Sequence, residues 1–158
     1  MIIFSVLSEN DLDEIMMVEK VCFPKDAWTR KMFESELCNN ISFYIVARDE
    51  DTNELIAYGG VWLMYDVGDI TNIAVSPLFR HMGIAMEILK LLTDICRENH
   101  MKSISLEVRE SNISAQSLYR KMGFKMAGTR KKYYENTENA LIMTKDLEDL
   151  EDLEDKET

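Results

Sequence analysis

The chain has 158 residues, 46% hydrophobic and 30% charged, the length and balance of a soluble globular domain with one core. Its apolar runs fall short of the ~20 residues that span a bilayer, and Met1 to Leu7 has neither a basic region before it nor a small-residue cleavage site after it, which argues against a membrane span or a secretory leader. The net charge of −11 is concentrated in 146–158, where eight acids and one lysine carry −7; the remainder holds −4 and shows no basic stripe of the kind nucleic-acid binders carry.

Three cysteines, Cys22, Cys38 and Cys96, cannot all pair within one chain, and none lies in a CxxC pattern. They read as reduced thiols of a cytosolic protein.

In chain order, Ile2 to Leu7 reads as a first strand. Ser8, three residues before Asp11, is a helix N-cap with an acid in the first turn, a weaker relative of the capping box. Leu12, Ile15, Val18 and Cys22 follow at helical spacing, with Glu19 interrupting the edge of that face. Phe23-Pro24 ends the helix, because a residue before proline avoids the helical region. Thr29 caps a second short helix through Met32, Phe33 and Leu37. Phe43 to Ala47 and Leu55 to Met64 read as an antiparallel pair about a polar turn, with Gly59-Gly60 marking a weak or bulged stretch.

Asp69 to Val75 is another strand, closed by Pro77. Gly83 to Asn99 is the strongest helix, with Ile84, Ile88, Leu91, Leu92 and Ile95 in phase. Ser103 to Val108 alternates as a strand, and Ser114 to Met122 is a short helix stopped by Gly123. Phe124 to Thr129 and Ala140 to Thr144 are the final strands. A helix between the strands at 69–75 and 103–108 implies a parallel, right-handed crossover, whereas the first half favours antiparallel pairing. The expected fold is a mixed α/β sheet with helices on both faces, one domain over 1–145. The remaining 146–158, with Leu-Glu-Asp repeated three times, reads as a solvated or disordered tail.

Two stretches carry chemistry. In the first, a β-branched strand ends at Val75 and Gly83 opens the long helix. Unpartnered N–H groups and the peptide dipoles make that helix start a phosphate site. Gly83 lets a ligand approach the backbone, and Arg80 can add a charged contact to phosphate. By spacing alone, Arg-x-x-Gly-x-Ala also fits an ordinary loop with a helix-starting glycine. It is neither a Walker loop nor a dinucleotide fingerprint. His81 and His100 are far from any metal-ligand spacing with the scattered cysteines, so no metal is expected; His100 follows the helix end and caps it.

The second stretch is Leu106-Glu-Val-Arg-Glu-Ser-Asn-Ile-Ser-Ala-Gln-Ser-Leu-Tyr-Arg-Lys-Met-Gly-Phe124. It resembles the signature of ribosomal-protein-alanine N-acetyltransferases (the RimI type) of the GNAT superfamily, and the glycine loop resembles that superfamily's acetyl-CoA motif. The likeness runs from about Ile3 to Lys145. It implies the GNAT fold: a mixed central sheet, antiparallel in its N-terminal half, with a parallel crossover at the acetyl-CoA site and helices on both faces.

The resemblance also implies roles. Ile73, Ala74 and Val75 would hold the pantetheine arm on a strand splayed by a bulge. Arg80, His81, Met82, Gly83, Ile84, Ala85 and Met86 would cradle the pyrophosphate. Asn112 matches a CoA-contacting position. Glu107 matches the proton acceptor and Tyr119 the proton donor, each of which, without the likeness, could be an exposed strand acid or a core aromatic. Trp28, Tyr133 and Tyr134 match the substrate loop and the basic-Tyr-Tyr segment. The implied acceptor is a protein N-terminus, an alanine of a small-subunit ribosomal protein, in the cytoplasm, with no direct nucleic-acid or membrane contact. Small amines or lysine side chains are the alternative acceptors, and a silent CoA-binding module is the reading from another class. The sequence departs from the common pattern at His81, where a basic or small residue is usual, and at Ala85, in place of a second glycine.

Overall fold

The computed structural model describes residues 1–134 and 138–147, with the backbone alone at 132–134. The elements are β1 Ile2–Val6, α1 Leu12–Cys22, α2 Arg30–Leu37, β2 Ser42–Asp49, β3 Leu55–Met64, β4 Val67–Val75, α3 Ile84–Glu98, β5 Ser103–Arg109, α4 Ile113–Lys121, β6 Lys125–Tyr134 and β7 Glu138–Asp146. The strand order is β1-β2-β3-β4-β5-β7-β6. By internal packing the chain divides into two compact units: Met1–Trp62 with Thr71–Thr93, and Leu63–Ile70 with the chain from Asp94 onward.

In the first unit, β1 and β3 flank β2 in antiparallel register, Ile2 opposite Asp49 and Phe43 opposite Val61. The start of α1 is fixed by charge. Ser8 donates its backbone N–H and its hydroxyl to the Asp11 carboxylate at 2.8 and 3.2 Å. Arg48 of β2 then binds Asp11 at 2.6 Å and Glu14 at 2.9 Å, tying the helix to the sheet. Leu12, Ile15 and Val18 are buried as the spacing predicts. Glu19 departs from the expectation: it does not sit at the rim of the stripe but is 1% exposed inside it. A polar group so placed needs a partner, and the Trp28 N–H donates to its Oε1 at 3.1 Å.

Thr29 caps α2, its hydroxyl accepting from the Met32 N–H at 3.3 Å. Phe33 is fully buried and meets the rings of Trp28, Tyr44 and Tyr58 at 5.3, 6.5 and 5.8 Å. Glu36 ends the same helix as a clamp, accepting from the Ser42 hydroxyl at 2.5 Å and the Trp62 indole at 2.8 Å.

The Gly59-Gly60 pair is not a bulge. The β2–β3 register runs evenly through it, and the irregularity falls at Ala47/Arg48. The glycines answer a packing need instead. A Cβ on Gly60 would lie 2.3 Å from the Tyr44 ring, and one on Gly59 would lie 2.5 Å from Ile88. Successive strand residues face opposite ways, so α2, through Phe33 on Tyr44, and α3, through Ile88, cover opposite faces of β3.

In the second unit, β4 pairs in parallel with β5 from Val67 opposite Ser103 to Asp69 opposite Ser105. β7 lies antiparallel between β5 and β6. Ile104, Leu106 and Val108 turn inward while Ser105 and Glu107 take the other face, as the alternation predicts. His100 does terminate α3. It sits at φ 60°, and the Met101 N–H reaches back to the Cys96 carbonyl at 2.9 Å, a Schellman closure. Gly123 closes α4 at φ 93°. β7 runs to Asp146, and Leu147 is buried with its N–H on the Lys102 carbonyl at 2.8 Å. The expected solvated tail beyond that point lies outside the described residues.

Candidate active site

Within the first unit, the segment between β4 and α3 has an unusual backbone. His81 has φ 63° and Gly83 φ 79°, so two residues of the turn occupy the left-handed region. For Gly83 this costs little; for His81 it is uncommon. Gly83 is the N-cap of α3, its carbonyl accepting from the Glu87 N–H at 3.1 Å. The N–H groups of the first turn of a 15-residue helix therefore lack intrahelical partners. Nothing lies within 4 Å of a Cβ built on Gly83, so the space before the helix is open. Ile84 anchors the turn in the core at 4% exposure, while His81 and Met82 face outward. A pyrophosphate fits this arrangement of donors, dipole and free space.

Arg80 lies folded over the end of β4. Its Nε donates to the Val75 carbonyl at 3.1 Å, and Cys22 donates its thiol to the same oxygen at 3.4 Å. Burial pushes the Cys22 thiol up, the Glu19 charge adds to this, and Arg80 opposes both. Ala74 is buried against the α1 core, and Ile73 turns toward α3 beside Gly59. Upstream, the Thr71 hydroxyl donates to Asn72 Oδ1 at 3.1 Å and accepts from the Tyr44 hydroxyl at 2.8 Å. Asn72 Nδ2 in turn donates to the Tyr58 hydroxyl at 3.3 Å. Thr71 and Asn72 are consecutive yet both reach the tyrosine side, a local break in strand alternation.

Trp28 sits half-buried on Phe33 at the end of the α1–α2 connection, held through its backbone by Glu19. Burial pushes the Glu19 carboxyl up to about 7, the Trp28 hydrogen bond acting the other way.

Within the second unit, Glu107 is half-buried on β5 and its Oε1 accepts from Arg130 of β6 at 2.8 Å. Asp69 of β4 shares their neighbourhood. Burial raises its carboxyl above the ordinary value, the Glu107 charge raises it further, and Arg130 opposes. Tyr119 is half-buried on α4 with its ring 5.9 Å from Phe124, and the Phe124 N–H donates to its carbonyl at 2.9 Å. Asn112 caps α4, Oδ1 accepting from the Ala115 N–H at 3.1 Å. Arg109 pairs with Glu138 at 3.2 Å. The strand β6 runs through Tyr133 and Tyr134, whose side chains lie outside the described residues.

Reading the sequence alone missed Asp69 and the use of Arg130, because both depend on diagonal neighbours across strands. The signal that finds Asp69 is an acid two residues before Thr71-Asn72 in a strand otherwise apolar or small. Among the described residues, no group of three or more His, Cys, Asp or Glu could hold a metal ion. No helix there is long and apolar enough to cross a membrane.

Residues 11–124 match the acetyltransferase (GNAT) family. A Bacillus subtilis relative, provisionally named a [ribosomal protein bS18]-alanine N-acetyltransferase, is 37% identical over 85% of this chain and 88% of its own. The Escherichia coli [ribosomal protein bS18]-alanine N-acetyltransferase is 31% identical over 88% of this chain and 93% of its own. The crystal structure of the Escherichia coli ribosomal-protein-S18-alanine N-acetyltransferase superposes with a TM-score of 0.84 at 27% identity, covering 92% of this chain and 94% of that one.

Proposed function

Because the chain belongs to the acetyltransferase (GNAT) family, we propose that it moves the acetyl group of acetyl-CoA to the N-terminal α-amine of a protein, with an alanine N-terminus of a small-subunit ribosomal protein as acceptor. The observation that carries this reading is Glu107: a half-buried carboxylate on β5 that accepts from Arg130 at 2.8 Å, and the residue that the sequence likeness matches to the proton acceptor. The choice of acceptor is supported by the two relatives' activities and by the chemistry of the amine. An α-amine has a pKa of about 7.7–8.0 and a lysine about 10.4, so one carboxylate can deprotonate the first near neutral pH far more readily.

Each proposed role belongs to a named group. The turn from Arg80 to Met86 takes the pyrophosphate, with the N–H groups after Gly83 as donors. The backbone from Ile73 to Val75 holds the pantetheine, and Asn112 is carried over as a CoA contact by the sequence likeness. Acetyl-CoA supplies the activated acyl thioester. Glu107 accepts a proton from the incoming ammonium, directly or through water, and leaves the nitrogen its lone pair for the acyl carbon. Tyr119 gives its phenolic proton to the departing thiolate, whose pKa is roughly 8.5 by analogy with free cysteine. Trp28, Tyr133 and Tyr134 are assigned to peptide binding by the sequence likeness alone. The unpaired cysteines, at Cys22, Cys38 and Cys96, suit a reduced cytoplasm, where ribosomes are made.

The test is thiol release from acetyl-CoA with two peptides, one beginning with a free alanine and one blocked at its N-terminus with an internal lysine. Turnover on the first alone is expected, with Glu107→Gln and Tyr119→Phe each lowering kcat at least tenfold while acetyl-CoA binding holds. Turnover on the lysine peptide or on small amines alone refutes the acceptor; acetyl-CoA binding without turnover on any amine refutes the enzyme.

A further inference from the structure

Asp69 and Glu107 stand on neighbouring parallel strands. Asp69 is paired with Ser105, and Glu107 follows two residues later on the same face, so the two Cα atoms are diagonal neighbours roughly 8 Å apart. Arg130 bonds to Glu107 and acts through its charge on Asp69 as well. Opposite Glu107 and Arg130 on β7 are Ile142 and Ala140, which carry no charge, and Ser105 is neutral. Among the described residues, the charges that act on Asp69 are Glu107 from β5 and Arg130 from β6, two negative groups about one positive group.

We propose that Asp69 is a positioning residue for Glu107: by sharing the Arg130 charge it leaves the pair one uncompensated negative charge with which to draw in the acceptor's ammonium group. The inference rests on the proposed role of Glu107 and deepens it. With Asp69 present, the cluster carries a net negative charge before the acceptor arrives. When the N–H bond breaks, the proton bonds to a Glu107 oxygen, the electron pair stays on nitrogen, and the cluster becomes neutral. Without Asp69, the Glu107–Arg130 pair starts neutral, offers the ammonium no net attraction, and must become positive to take its proton. Burial of Asp69 strengthens the coupling, since charges that are partly out of water interact over a longer range. Asp69 need not touch the substrate to act this way.

Two measurements test this. In the wild-type protein and in Glu107→Gln, a carboxyl-carbon NMR titration follows Asp69. The midpoint should lie above the ordinary aspartate value in the wild type and fall clearly in the variant. In parallel, Asp69→Asn should lower kcat/KM for the alanine peptide about tenfold and move the acid limb of its pH profile to lower pH, because a negative neighbour of the proton acceptor has been removed. Asp69→Glu should restore both. A merely structural role would lower activity without moving the limb. Equal Asp69 midpoints in the two proteins, or an acid limb unmoved in Asp69→Asn, overturn the proposal. If the wild type does not acetylate the alanine peptide at all, it is the acceptor assignment that fails, and the NMR comparison still decides the coupling.

Discussion

Replacing Glu19 by glutamine should stabilise the protein at alkaline pH and not at acidic pH. Glu19 is 1% exposed; its Oε1 accepts from Trp28, and its Oε2 is buried with no hydrogen-bond partner among the described residues. Burial holds the carboxyl at about 7 in the fold against an ordinary 4.5. At 1.4 kcal/mol per pH unit, that gap is worth about 3 kcal/mol. Because the folded value is raised, the contribution is fully present below pH 4.5, is lost as pH rises toward 7, and is gone above it. Glutamine keeps the shape and an acceptor for Trp28 but cannot ionise. Any fixed cost of its amide cancels when the same pair is compared at two pH values. Urea unfolding of both proteins at pH 5 and pH 8 should show the variant gaining about 2–3 kcal/mol on the wild type between them. An unchanged difference, or one that moves the other way, would mean that Glu19 is ionised in the fold with a partner, and the reasoning would be wrong.

Three other perturbations follow from the packing. Gly60→Ala places a Cβ 2.3 Å from a Tyr44 ring that is wedged on Phe33 and bonded to Thr71, and should cost about 2–3 kcal/mol, read as a lower urea midpoint with an unchanged slope. Gly83→Glu should weaken acetyl-CoA binding at least 100-fold by placing charge at the turn proposed for the pyrophosphate, whereas Gly83→Ala enters open space and should cost only about 1–2 kcal/mol of stability from its left-handed φ; calorimetric titration separates the two. Cys38, which is exposed, should react with a disulfide reagent at pH 8 well before Cys22, and Cys96, buried with its thiol pushed up to about 11, should react only on unfolding.

The fold was legible wherever one element signals itself. The phase of Ile84, Ile88 and Leu92 marks α3, and the alternation of Ile104, Leu106 and Val108 marks β5 with Glu107 on its outer face. Caps written in local chemistry, at Thr29 and Gly123, were equally plain. What a residue meets across the sheet was not. Gly59 and Gly60 look like weakness until Ile88 and Tyr44 are in place. Glu19 looks like the solvent edge of a stripe, since nothing local says that Trp28 will return to meet it. Arg130 and Asp69 converge on Glu107 from strands 61 residues apart in the chain, and no spacing rule connects them. His81 hides a left-handed backbone that a glycine would have advertised.

Both tryptophans, Trp28 and Trp62, belong to the first compact unit, one stacked near Phe33 and the other bonded to Glu36. The second unit holds none. Emission excited at the red edge of the protein spectrum therefore watches the first unit only: the Glu19-held loop through one indole, the Glu36 clamp through the other. Far-ultraviolet circular dichroism watches both units. Comparing the two signals through one denaturant transition turns an accident of tryptophan placement into a measure of whether the halves melt as a single cooperative body.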